Sequence, residues 1–213
     1  MSVPKVIHYI WIGKEMPELY KRCINSWHVY HPGWEVLKWD ESAFENNDVP
    51  PYFSKAIKDK KYAFAADYLR CYILYNQGGI YIDADMECIK CFSPLLSRSF
   101  IGLEGPERLS NGVMGFEPKH KLIKKLLDFY DKNVGVYKTM PRLTTEIFNE
   151  VKFDDVEVYN ENTFYPYNPF RDGSLEQLMY QDISSDTFAI HHWGKSWKMS
   201  RWETLLSYLR NLL

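Results

Sequence analysis

The chain sets two acids, Asp83 and Asp85, one residue apart at the end of the apolar run Gly78-Gly79-Ile80-Tyr81-Ile82. Carboxylates at i and i+2 of a continuing strand share a face, and a turn at that point lets both converge on one hard cation. Oxygen donors of this kind suit Mg²⁺ or Mn²⁺, above all where phosphate oxygens complete the shell. A bare Asp-x-Asp is also common on solvated surfaces; the apolar strand in front of it is what gives this pair weight. Just upstream, Asp67 and Arg70 lie three residues apart in a helical pattern and share one helix face. They are either a solvated ion pair or part of the same site. Gly78-Gly79 turns the strand back beside that helix, which brings all four charges together. Three acids around one arginine repel one another, an arrangement that suits a cation and a polyol better than it suits stability.

These side chains need a scaffold. Val3 to Gly13 reads as a buried strand ending in a loop, Leu19 to Tyr30 as a helix stopped by His31-Pro32-Gly33, and Glu35 to Trp39 as a second strand. Helical spacing returns over Tyr62 to Asn76, followed at once by the strand Ile80 to Ile82. Short strands are expected at Phe100 to Leu103, Val113 to Phe116, Val156 to Tyr159 and Phe188 to His191. Helices are expected at Lys119 to Asn133, Thr144 to Val151 and Arg201 to Leu212. The alternation points to α/β layering, and ligands of open α/β sheets bind at the carboxyl edge of the strands. With no internal repeat and no linker-like tract, one domain over residues 1–213 is expected.

The run Ala66-Asp67-Tyr68-Leu69-Arg70, with Leu74 to Gln77 and Gly78-Gly79-Ile80-Tyr81-Ile82-Asp83-Ala84-Asp85, resembles the signature of glycosyltransferase family 32. These are Asp-x-Asp sugar transferases of capsule and mannan synthesis, and the glucosylating domains of large clostridial toxins carry a similar block. Pro4 to Gly13 and His191-His192-Trp193-Gly194-Lys195-Ser196-Trp197 are similar to the family's opening strand and closing block. The resemblance implies a GT-A fold (a Rossmann-like mixed sheet flanked by helices), a nucleotide-sugar donor, Mn²⁺ or Mg²⁺, and transfer with retention of configuration. It further implies base stacking by Trp11, ribose and sugar contacts from Asp67 and Arg70, and ribose and metal binding by Asp83 and Asp85. A further metal ligand would come from His191 or His192, with Ser196 and Trp197 closing over the diphosphate. Neighbouring histidines on a strand point to opposite faces, so one of the two reaches the metal; His191 is preferred. Asn111, between Ser110 and Gly112, is either a turn residue or a contact to a sugar hydroxyl near the reacting carbon. Thr139-Met140-Pro141 stands where the family often has Thr-Gly-Pro.

The expected function is metal-assisted front-face transfer from a nucleotide-sugar, UDP-sugars first and GDP-mannose second, to a saccharide or lipid-linked acceptor in polysaccharide or capsule synthesis. The sequence shows no obvious pair of acids of the sort retaining glycosidases use. Arg70, Lys195 or the Trp197 indole would help to stabilise charge on the leaving group. The alternative readings are a phosphatase of the haloacid dehalogenase type and a carbohydrate-binding module without turnover. The phosphatase is disfavoured because Glu87 stands where those enzymes carry Thr or Val.

The 213 residues carry 26 Lys plus Arg against 28 Asp plus Glu, a near balance that argues against a nucleic-acid binder held by net charge. Aromatic residues make up 16% of the chain, enough that some rings should reach the surface. Cys23, Cys71, Cys88 and Cys91 are read as reduced thiols, and the lone Cys88-x-x-Cys91 does not make a zinc site. The chain opens without a signal-like apolar run, so a cytosolic protein is expected. The apolar stripe of Trp202 to Leu213 is read as docking on the core or as a peripheral contact at the inner face of a membrane.

Overall fold

The computed structural model describes residues 2–13, 15–44, 49–170 and 177–194. The expected helix Arg201 to Leu212, and Lys195, Ser196 and Trp197, lie outside the described residues.

Among the described residues, eight strands and six α-helices follow one another: β1 (Val6–Ile10), α1 (Glu18–Tyr30), β2 (Glu35–Trp39), α2 (Pro51–Lys58), α3 (Tyr62–Gln77), β3 (Gly79–Ile82), β4 (Met86–Cys88), β5 (Ser99–Gly105), β6 (Arg108–Phe116), α4 (Lys121–Lys132), α5 (Met140–Glu150), β7 (Val156–Tyr159), α6 (Glu161–Phe164) and β8 (Ala189–His191). Six strands form one mixed sheet in the order β2-β1-β3-β6-β5-β7, and β4 pairs with β8 in a second, two-stranded sheet. β1 is parallel to β2 and β3, β6 is antiparallel to β3 and β5, and β5 is parallel to β7. The carboxyl ends of β1, β3 and β5 and the amino-terminal half of β6 therefore share one edge of the sheet.

Both faces of the sheet are covered. On one side Leu69, Ile73, Leu122, Leu126 and Tyr130 from α3 and α4 pack with Tyr81, Met114 and Phe116 of the strands. On the other, Trp27 of α1 joins Ile7, Ile80, Ile82, Val113 and Phe164. Burying rings of this size contributes roughly 2 to 3 kcal/mol each. Trp27 also donates its indole N–H to the Met86 carbonyl at 2.7 Å, which fixes β4 against α1 just beyond the aspartate pair.

Several elements differ from the sequence reading. α2 was missed because Pro50-Pro51 reads as a loop, yet Pro51 occupies the first turn, where a missing N–H costs nothing. β4 has three residues, too few for a periodicity. β6 runs from Arg108 rather than Val113, since Pro106-Glu107 closes a hairpin to β5, so Asn111 is a strand residue and not a turn residue. α5 starts at Met140 with Pro141 in its first turn. The two-glycine turn behaves as expected: Gly78 (φ 67°) and Gly79 (φ 95°) are both left-handed. A side chain at Gly79 would meet Val6 Cγ1 at 2.5 Å.

His8 of β1 secures that turn. Its Nε2 lies 3.0 Å from the Gly78 carbonyl, and Trp39 Nε1–H donates to Nδ1 at 3.2 Å. One ring nitrogen must donate and the other must accept, so the buried ring is held neutral, and burial lowers its pKa from 6.5 to about 4. His31 repeats the pattern, with Nδ1 2.9 Å from the Trp27 carbonyl and Nε2 accepting from the Phe92 amide at 3.0 Å, and burial lowers its pKa too. A depressed histidine pKa contributes stability that is complete above about 6.5 and is lost as pH falls from there towards 4. The His8 imidazole should remove about 1.4 kcal/mol per pH unit across that window. Urea unfolding between pH 7 and 4.5 should therefore be less pH-dependent in His8→Gln by about one proton's worth of slope; an unchanged slope would show that His8 is not held neutral.

Candidate functional site

Asp83 lies just past the last residue of β3, and its amide donates to the Gly112 carbonyl of β6 at 2.7 Å. The Met86 amide donates back to the Asp83 carbonyl at 3.0 Å, closing a tight turn over Asp83-Ala84-Asp85. The two carboxylates thus converge through a turn, not along a straight strand. β4 then pairs with β8 in a register that sets Met86 opposite His191. That pairing carries a histidine from more than a hundred positions away to the acids. Asp83, Asp85 and His191 each offer a ligand atom, and these atoms lie within 4.8 Å of one another.

The helix α3 delivers Arg70 to the same place. Its Nη1 donates to the Asn111 carbonyl at 2.6 Å, and its Nη2 lies 3.2 Å from Asp83 Oδ1 and 3.4 Å from Asp67 Oδ1. The guanidinium stacks on the Tyr81 ring at 4.2 Å, and the Tyr81 hydroxyl donates to Asp83 Oδ1 at 2.9 Å. Burial works against the arginine's charge, but Tyr81, Asp83 and Asp67 outweigh it and hold the pKa above its ordinary value. Asp67 is pushed up to about 6 by burial, with Arg70 opposing the rise and Asp83 adding to it.

Asp85 Oδ2 accepts from the Gly194 amide at 2.8 Å and lies 3.1 Å from His191 Nε2. Burial opposes ionisation, yet His191 and the amide keep Asp85 below its ordinary value, and Asp85 holds His191 above its own despite burial. His191 Nδ1 is buried and has no hydrogen-bond partner among the described residues. The Trp193 ring packs on the imidazole at 4.0 Å, with its indole N–H donated to the Tyr167 carbonyl. His192 turns away and pairs with Glu87 at 2.7 Å, so the neighbouring histidines face opposite ways and His191 is the one beside the aspartates. Two carboxylates and an imidazole with an orphaned nitrogen fit a Mg²⁺ or Mn²⁺ ion that takes mainly oxygen ligands.

Trp11 lies at the same edge, beyond β1, half-buried and against the Tyr20 ring at 4.8 Å. Asn111 is 2% exposed and its side-chain amide is bonded to Thr144 of α5 at 3.0 Å; its backbone carbonyl, not its side chain, serves the cluster by accepting from Arg70. Ser196 and Trp197 lie outside the described residues. Two participants were missed in the sequence. Tyr81 reads only as an apolar strand residue. Glu104, near the end of β5, is paired with Arg108 at 2.8 Å, and its pKa is raised by burial against the pull of Ser110 and Arg108. Its charge is felt by both His191 and Asp83. A lone acid at a strand end carries no signature, and only the shared sheet edge brings it to the site. Gly112 is required here by close approach, because a Cβ would meet Tyr165 Oη at 2.9 Å and Asp83 Oδ2 at 3.0 Å.

Residues 17–101 match a family model described as a glycosyltransferase sugar-binding region containing a DXD motif. The inositol phosphoceramide mannosyltransferase 3 of Schizosaccharomyces pombe is 33% identical over 217 residues, covering 91% of this chain and 60% of that one. The mannosyl phosphorylinositol ceramide synthase SUR1 of Saccharomyces cerevisiae is 34% identical over 157 residues, 70% of this chain and 41% of that one. The chain spans between 41% and 62% of the length of the five fungal relatives it matches. Among solved structures, the PaToxG glycosyltransferase superposes with a TM-score of 0.56 at 22% identity, covering 70% of this chain and 69% of that one, a likeness of fold. The architecture is of the GT-A type.

Removing one partner of a buried ion pair leaves the other charge uncompensated. Arg70→Met should therefore lower unfolding free energy by about 3 kcal/mol in urea titrations, with Arg70→Lys recovering part of the loss. A loss under about 1 kcal/mol would mean that Asp67 and Asp83 are solvated and need no counter-charge.

Proposed function

We propose that this chain, residues 17–101 of which match the model of a DXD-containing glycosyltransferase sugar-binding region, moves mannose from a nucleotide-sugar to a lipid-linked acceptor with retention of configuration. The observation that carries the reading is the convergence of Asp83, Asp85 and His191 within 4.8 Å, beside the buried cation Arg70. The fungal relatives, named for mannosyl transfer to inositol phosphoceramide, support mannose over other hexoses and a lipid acceptor over a capsule polysaccharide. The order of donors expected from the sequence is thereby reversed, with GDP-mannose ahead of UDP-sugars.

A divalent cation held by Asp83, Asp85 and His191 would supply positive charge to the diphosphate as the bond to the anomeric carbon breaks. The remaining work falls to the chain itself. Arg70 is locked by four partners and stays protonated, so it meets developing charge without reorganising. Asp67, beside it, can accept hydrogen bonds from sugar or ribose hydroxyls. Trp11 offers a ring at the mouth of the same edge for the donor base. Gly194, bonded to Asp85 through its amide, is the last described residue before Lys195, Ser196 and Trp197. We further propose front-face displacement without a glycosyl-enzyme. Glu104 is the carboxylate to examine for an adduct, and mass spectrometry should find none.

Hydrolysis of GDP-mannose by the purified chain with Mn²⁺ should exceed that of UDP-glucose, vanish on chelation and return with added metal. Asp85→Asn should lower it by about 100-fold. Faster turnover of UDP-sugars would overturn the choice of mannose, and full turnover in the Asp85→Asn variant would overturn the site.

A further inference from the structure

The connection from α2 to α3 reads Lys58-Asp59-Lys60-Lys61-Tyr62. Lys61 donates its amide to the Ala56 carbonyl at 2.8 Å and Lys60 to the Ile57 carbonyl at 3.0 Å, with Lys60 at φ 58°. This is the left-handed helix stop at which glycine is free of strain, yet a lysine occupies it. Lys58, Lys60 and Lys61 are exposed and make no ion pair among the described residues. The carboxylate in their midst, Asp59, is already taken by Lys55 and by the Tyr137 hydroxyl at 2.7 Å. Three ammonium groups within four positions repel one another, and Asp59 offsets the charge of Lys58 only in part.

The loop after α4 packs against this turn through the Phe64 and Tyr137 rings, 5.0 Å apart. That loop exposes Val134 (45%) and Val136 (51%), and Tyr62 at the start of α3 is 47% exposed. Lysines interleaved with apolar tips match an anionic bilayer surface, where the amines meet phosphates and the tips enter the headgroup boundary. A nucleic-acid backbone would use the lysines and leave the valines in water. Tyr62 opens α3, and Asp67 follows about 8 Å further along the same helix axis.

We propose that the turn Lys58–Tyr62 and the loop Val134–Val136 form a docking surface for an anionic lipid bilayer, placing the mouth of the site near the headgroups. The inference does not depend on which sugar is transferred. Among the described residues no helix is long and apolar enough to cross a membrane.

The full chain should co-sediment with phosphatidylcholine vesicles containing roughly 30% phosphatidylserine at low salt, and far less with high salt or with phosphatidylcholine alone. Lys60→Gly relieves the backbone, so it should keep or raise the melting temperature while weakening binding about 5-fold. The triple variant Lys58→Gln, Lys60→Gly, Lys61→Gln should weaken binding about 100-fold. Its donor hydrolysis without lipid should match the wild type. Equal binding to neutral vesicles, absence of binding, or undiminished binding by the triple variant would each overturn the proposal, the last by assigning the contact to another segment. Loss of hydrolysis in that variant would place the lysines in the site and equally overturn it. A wild-type chain that binds vesicles but cleaves no donor would sink the transfer reading alone.

Discussion

A single permanent cation, Arg70, makes the candidate site possible. Asp67 and Asp83 are brought close together in a place largely closed to water, where like charges repel strongly and neither can be left without compensation. The guanidinium reaches both carboxylates, the Asn111 carbonyl and the face of Tyr81 from one position. A lysine offers a point charge without that planar fork and could not serve all of them at once. The backbone answers the same demand elsewhere, since Asp85 is steadied by the Gly194 amide as well as by His191.

The topology supplies what the charges need. Reversal at Gly78-Gly79 lays α3 beside β3, so a residue eight positions before the turn meets one five positions after it. β8 belongs to a different sheet and is brought to the site by pairing with β4 directly after Asp85. Removing that short pairing would leave the aspartates without their imidazole. The anchoring of β4 by the Trp27 indole shows why a core tryptophan on α1 matters to chemistry at the edge of the sheet. His8, neutral and buried, performs a similar service for the reversal itself.

Much of this was legible in the amino-acid sequence, for definite reasons. Paired glycines before an apolar strand announce a left-handed reversal, and helical spacing places Asp67 and Arg70 on one face. Their convergence with Asp83 follows from those two facts. Alternation of side chains on a strand separates His191 from His192, and the structure pairs them with Asp85 and Glu87 respectively. Other features depend on distant partners. Asn111 beside Gly112 looks like a turn, because nothing local shows that a hairpin at Pro106-Glu107 extends the strand through it. Glu104 has no motif at all, and the sheet edge alone gives it neighbours. The lysine turn reads as an ordinary solvated loop until the loop carrying Tyr137, more than seventy positions away, is seen bonded to its Asp59.

The central claim is that Asp83, Asp85 and His191 jointly hold a divalent cation. Anomalous diffraction at the manganese edge, from crystals soaked with Mn²⁺ and a nucleoside diphosphate, tests it most directly. The account predicts a peak within coordination distance of all three residues, with the diphosphate completing its shell. A peak between Glu87 and His192 instead, or none beside Asp85 at saturating metal and nucleotide, would contradict it.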